Sequence, residues 1–215
     1  MTYPNAHAGI KKLVTAQALQ LISVIFGLLS AILLASGATA AMTTTSDAGL
    51  AAAGGAVILS ALLAIAILVM VIISLIFTLM GLKKAAIDEP QKLQTAYISA
   101  LVVLIASIIS GVMSVIPGMA GVAGYFQSFA SLLNIAVFSF TVMGIAKLAE
   151  QLGRQDMVKL GYIVLIAQIV QIVLNSIAKI VPTVLALSII SSIAAIVCYL
   201  FYIVYLTKSA KMLEN

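Results

Sequence analysis

The sequence predicts an all-α integral membrane protein, with six transmembrane helices arranged as three tandem helix hairpins and both termini in the cytoplasm. Three observations predict it. Of 215 residues, 64% are apolar and 8% are charged; a soluble surface needs far more charge, whereas lipid accepts apolar side chains all round a helix. The apolar residues run without the period-two alternation of barrel strands, and only helices or closed barrels satisfy their backbone groups in lipid. The words at the ends of the runs also recur. Phe77-Thr78-Leu79-Met80-Gly81-Leu82-Lys83-Lys84 closes one run and Phe140-Thr141-Val142-Met143-Gly144-Ile145-Ala146-Lys147 closes another. Lys12-Leu13-Val14-Thr15-Ala16 opens the first run as Lys92-Leu93-Gln94-Thr95-Ala96 opens a later one. A fainter copy opens at Lys159-Leu160-Gly161-Tyr162 and closes at Tyr202 to Lys208. The chain reads as one membrane domain, 1–215, with hairpin units at about 11–87, 90–150 and 156–211.

In chain order, Met1 to Ile10 reads as a short polar lead, and its His7 has no second ligand or acid beside it and is expected to be solvated. Span one runs from Leu13 to about Ser36, long enough to cross a bilayer. Its basic start and the Ala38-Thr39-Ala40 that follows also resemble a secretory signal. The apolar run is longer than a signal needs, and its opening words return in mid-chain at Lys92, so span one is expected to stay. Gly37 to Gly55, small and polar without Lys or Arg, reads as an outer loop.

Span two runs from about Ala56 to Leu82, and a charged connector follows with Lys83, Lys84, Asp88, Glu89 and Lys92, broken by Pro90. Leu93 to Ala146 carries no charge and is too long for one span; Pro117-Gly118, with Gly121 and Gly124, marks the turn between spans three and four. Lys147 to Lys159 is a second charged connector. Span five runs from Leu160 to about Ala178, a turn follows around Pro182, and span six runs from Val184 to Leu206.

Orientation follows from the cations. Lys11, Lys12, Lys83, Lys84, Lys92, Lys147, Arg154, Lys159, Lys208 and Lys211 fall on one side of these six spans and Lys179 alone on the other, which places both termini in the cytoplasm; the plasma membrane is the expected location. Tyr97, Tyr162 and Tyr205 at inner ends and Tyr125 at an outer one are expected at the interfaces, and Lys179 is expected to snorkel from a helix end. The net charge of +5 does not point to nucleic acid, because the cations are scattered between spans instead of forming a basic face.

Motifs for catalysis are missing. There is no glycine-rich phosphate loop, His/Glu metal spacing, Ser-Lys or Ser-His pairing, or intramembrane aspartate pair, so no enzyme, cofactor or metal is expected. Cys198, alone, makes no intramolecular disulfide and reads as a small packing residue. The Pro-x-Asp/Glu-x-x-Lys/Arg motif of mitochondrial carriers and the embedded Glu of small multidrug exporters are missing too. In size and span count the chain is similar to the substrate-binding subunits of energy-coupling-factor vitamin transporters, which transfers no residue.

Amides and hydroxyls at helical spacing remain. On span five Gln168, Gln171 and Asn175 fall within about 60° of one another, and on span four Gln127, Ser131, Asn134 and Thr141 share a face. The expectation is a small-solute transport or binding component, with Gln127, Asn134, Gln168, Gln171 and Asn175 lining a polar interior between spans four and five for a neutral or zwitterionic solute. The alternative is a structural or interaction protein. In that reading the polar stripes are helix-packing contacts, worth about 0.6 to 2 kcal/mol per hydrogen bond, and the basic connectors bind a protein partner.

Overall fold

Pro4 opens the first helix, where its missing N–H is one of the orphan donors of a first turn and its fixed φ is already helical. The computed structural model describes residues 3–43, 47–180 and 185–214, with the side chains at 31, 37–43, 47–53, 115, 120, 175–180, 185–189 and 191–192 outside that description. Among the described residues six helices follow in order: α1 Pro4–Thr43, α2 Asp47–Ala85, α3 Lys92–Val115, α4 Ala120–Gln151, α5 Gln155–Ile180 and α6 Leu185–Glu214. Each contains a segment long and apolar enough to cross a membrane, and the described residues hold no strand. The turn expected around Pro182, the centre of the first outer loop, and the side chains of Asn175 and Lys179 lie outside the described residues.

Several expectations change. The polar lead is helical and partly buried, because the α2–α3 connector supplies its cap. The Asp88 carboxylate accepts the Ala6 backbone N–H at 2.7 Å and the Asn5 side-chain amide at 3.0 Å, setting a negative charge at the positive end of α1. His7 is therefore held and not solvated: its Nδ1 donates to the Ala210 carbonyl at 2.7 Å, which fixes the proton on that nitrogen. The outer loop expected over Gly37 to Gly55 is mostly helix, since α1 continues to Thr43 and α2 begins at Asp47. The segment is rich in alanine, the strongest helix former, so its small residues extend the two helices. Pro117-Gly118 does turn the chain, with Gly118 at φ +82°, but Gly121 and Gly124 fall inside α4.

The chain forms two compact units, residues 15–77 and residues 1–14 with 78–215. In the first, Ser74 Oγ donates to the Ala16 carbonyl at 2.9 Å, while Leu28, Leu29, Ile58, Leu62 and Ile65 are exposed, as lipid-facing residues are. In the second, α3 pairs along α4, α5 pairs with α6, and α4 contacts α5. Its core gathers at the helix ends that carry the charged connectors, around Ile10, Leu13, Leu82, Leu93, Ile145, Leu148, Met157, Tyr205, Leu206 and Leu213. A smaller cluster of Val103, Ala106 and Ala130 joins α3 to α4 farther along.

The recurring words are contact residues of this core. A Cβ on Gly81 would fall 3.1 Å from the Leu13 side chain, and one on Gly144 would fall 2.7 Å from that of Leu93. In both places the leucine of Lys-Leu seats on the glycine of Phe-Thr-x-Met-Gly. On α5 the approached glycine is Gly161, and the Tyr205 hydroxyl does the approaching, 2.9 Å from where a Cβ would stand. Tyr205 is thus not interfacial but fully buried, its hydroxyl donating to the Val142 carbonyl at 3.3 Å, whereas Tyr125 is 80% exposed.

Candidate functional site

The amides of α4 and α5 lie beyond an aromatic floor, a pair that joins α4 to α6. Gly161 lets α6 lie close to α5, which brings Tyr205 to Val142 of α4. One turn along, the rings of Phe138 on α4 and Tyr202 on α6 meet at 4.5 Å between centroids and 54° between planes, a tilted pairing worth about 0.5 to 1.5 kcal/mol beyond area burial. Val164 of α5 is also buried here, and Thr141 turns its hydroxyl back onto the Val137 carbonyl at 2.6 Å. At this level α4, α5 and α6 meet, and a cavity of about 190 Å³ borders Val142, Gly161 and Leu165 between α4 and α5.

The same faces continue past the floor with different chemistry. On α4, Val142, Phe138, Asn134, Ser131 and Gln127 fall within about 80° of one another at 100° per residue, and on α5 so do Gly161, Val164, Gln168 and Gln171. Val142 is buried, yet Asn134, Ser131 and Gln127 are exposed; Val164 is buried, and Gln168 and Gln171 are half-buried. Past Phe138 and Tyr202 the two faces therefore change from buried to more exposed. Farther along α5 lies Asn175, whose side chain is outside the described residues. Cys198 of α6 donates its thiol to the Ala167 carbonyl at 3.4 Å, so α6 stays with α5 beyond the floor.

Asn134 and Gln127 lie within the apolar span Gly121–Gln151, where an amide turned to hydrocarbon without a partner costs several kcal/mol. No known protein family, curated protein or solved structure matches the chain. An amide offers both donors and acceptors and no charge, which suits a neutral or zwitterionic group better than an ion.

Sequence reasoning passed over the floor and the polar layer beneath it. Phe138 could have been found as the aromatic that interrupts the amide stripe one turn after Asn134. At the charged end, Glu89 is 2% exposed and accepts the backbone N–H groups of Lys92 at 2.6 Å and Leu93 at 2.9 Å, together with the Lys147 ammonium at 3.1 Å. Burial pushes the Glu89 carboxyl up, but the Leu93 N–H, the Lys147 ammonium and the Lys92 N–H together hold it below the ordinary carboxylate range. Lys147 also donates to Gln91 Oε1 at 2.7 Å, and the Tyr3 hydroxyl donates to Gln151 Oε1 at 2.9 Å. In the sequence these charges served only as topology signals.

Proposed function

We propose that this multi-pass membrane protein binds, and carries across the plasma membrane, a small neutral or zwitterionic solute held between α4 and α5, with Asn134, Gln127, Gln168, Gln171 and Asn175 as the binding groups and Phe138 and Tyr202 as the floor. The supporting observation is that one face of α4 passes from buried at Val142 to exposed at Asn134 and Gln127, and that Gln168 and Gln171 of α5 are half-buried. The reading includes three tandem hairpin units, no catalytic chemistry, and both termini in the cytoplasm, so that the amides open away from the cytoplasm. Asn134→Leu and Gln171→Leu are expected to abolish a ligand-dependent thermal shift, measured with the small molecule that co-purifies by native mass spectrometry, and to leave the unliganded melting temperature near that of the parent.

A second reading draws on the same exposure of Gln127, Ser131 and Asn134, with a partner helix covering the face and the basic connectors holding a protein partner. Under it a stoichiometric protein co-purifies, no small molecule does, and Asn134→Leu releases the partner.

Topology gives an independent expectation. In a Cys198→Ala background, a single cysteine at Met119 should react with an impermeant thiol reagent on intact cells and one at Gln155 should not, both positions being exposed. Labelling at position 155 from outside would reverse the orientation and with it the direction in which the amides open.

A further inference from the structure

A cleft of about 500 Å³ lies between the start of α5 and the end of α6, away from the amides. Arg154, Lys208 and Lys211 border it against a single carboxylate, Asp156, a net charge of +2 from three cations and one acid. The Arg154 guanidinium is engaged by both Asp156 oxygens, each at 3.1 Å, whereas neither lysine ammonium has a hydrogen-bonding partner among the described residues. Met157, Leu160 and Met212 give the cleft an apolar base.

A second feature continues from it. Lys211, Lys208, Val204, Phe201 and Val197 are spaced three and four residues apart and fall within about 80° on one face of α6. Val204 is 48% exposed, Phe201 50% and Val197 43%. The two unpaired cations thus stand at the head of an exposed apolar lane. From Lys208 to Val197 the lane runs about 16 Å at about 1.5 Å per residue, close to half of a hydrocarbon core about 30 Å thick. A soluble phosphate would use the cations and leave the lane bare. A lipid of one leaflet uses both.

We propose that this cleft and lane form a binding site for an anionic phospholipid, with the headgroup phosphate against Lys208 and Lys211, the Arg154–Asp156 pair as one wall, and an acyl chain along Val204, Phe201 and Val197. The site is independent of the solute reading, since it shares no residue with the amides or their floor.

The test uses the full-length protein, exchanged into mixed micelles with dioleoylphosphatidylglycerol or dioleoylphosphatidylcholine, and native mass spectrometry of what remains bound. The parent is expected to retain phosphatidylglycerol and to lose phosphatidylcholine. Lys208→Gln with Lys211→Gln should reduce phosphatidylglycerol occupancy by about tenfold, while Lys83→Gln with Lys84→Gln, an equal loss of charge at two other exposed lysines, should leave it unchanged. Equal retention of the two lipids by the parent overturns the proposal, and that comparison depends on no variant. So does undiminished phosphatidylglycerol retention in the Lys208 and Lys211 variant. Displacement of the lipid by soluble glycerol phosphate would make the cleft a site for a soluble anion, and a protein dimer dissolved by the same variant would make it an interface between copies; either outcome also overturns the lipid site.

Discussion

Gly9→Ala is expected to destabilise the protein by about 3 kcal/mol, the upper range of overpacking costs. A Cβ at position 9 would stand 2.5 Å from the Gly81 carbonyl oxygen, 2.7 Å from the Ala85 nitrogen and 2.8 Å from the Ala85 Cβ. Two of these are main-chain atoms of a helix, and the third is fixed rigidly to one, so no rotamer change can make room. The start of α1 must lift from the end of α2. That movement would loosen Ile10 and Leu13, which are 0% and 2% exposed, from Leu82, which is 0% exposed. Gly144→Ala provides the contrast, because its close neighbours are the Cγ and Cδ2 of Leu93 and the Cβ of Lys92. The Leu93 side chain can shift, so about 1 kcal/mol is expected there. Gly27→Ala, with nothing within 4 Å of its Cβ, should be neutral or slightly stabilising. Thermal unfolding in detergent, followed by loss of the monodisperse peak, orders the three variants. A Gly9→Ala protein as stable as Gly27→Ala would show that the α1–α2 crossing is not a backbone contact.

Glu89→Ala is expected to cost about 2 kcal/mol, most of it from leaving the Lys92 and Leu93 N–H groups at the start of α3 without an acceptor. The ion pair itself contributes little, since the Lys147 side chain is 36% exposed and can return to water. Lys147→Met should therefore cost less than Glu89→Ala. If Lys147→Met proves the more damaging, the ion pair and not the cap is the dominant interaction. The pH dependence has a definite sign. The folded Glu89 carboxyl lies below its ordinary value of 4.5, so its contribution is complete above that value and disappears as pH falls through the folded one. The parent should lose stability on acidification below about pH 4.5, and the loss should be shallower in Glu89→Gln.

The six spans were legible because hydropathy and charge act along the chain, where a sequence displays them. The caps were not. Asp88 stabilises the start of α1 from 82 residues away, and nothing in Asp88-Glu89-Pro90 says which helix each acid will meet. His7 was misjudged for the same reason, its acceptor being 203 residues distant. The alanines of 37–55 were misread through size, although alanine is as much a helix residue as a small one. For the amides, period gave the shared faces of Gln127 with Asn134 and of Gln168 with Gln171. It could not give the level at which α4 parts from its neighbours, which depends on how Gly161, Tyr205, Phe138 and Tyr202 pack. The matching words at Leu13 and Leu93, and at Gly81 and Gly144, were visible as spelling; that each leucine seats on a glycine is a fact of three dimensions.

The bond from His7 to Ala210 also sets a schedule. At about 5 to 20 residues per second of synthesis, the 203 residues that separate them take roughly 10 to 40 seconds to make. For nearly all of that interval Ala6 and Ile10 exist while Met212 and Leu213, buried in the same cluster, do not. The first helix must therefore wait in the bilayer with part of its seat unbuilt, and a ribosome stalled before α6 leaves that surface open to whatever surveys unfinished membrane proteins.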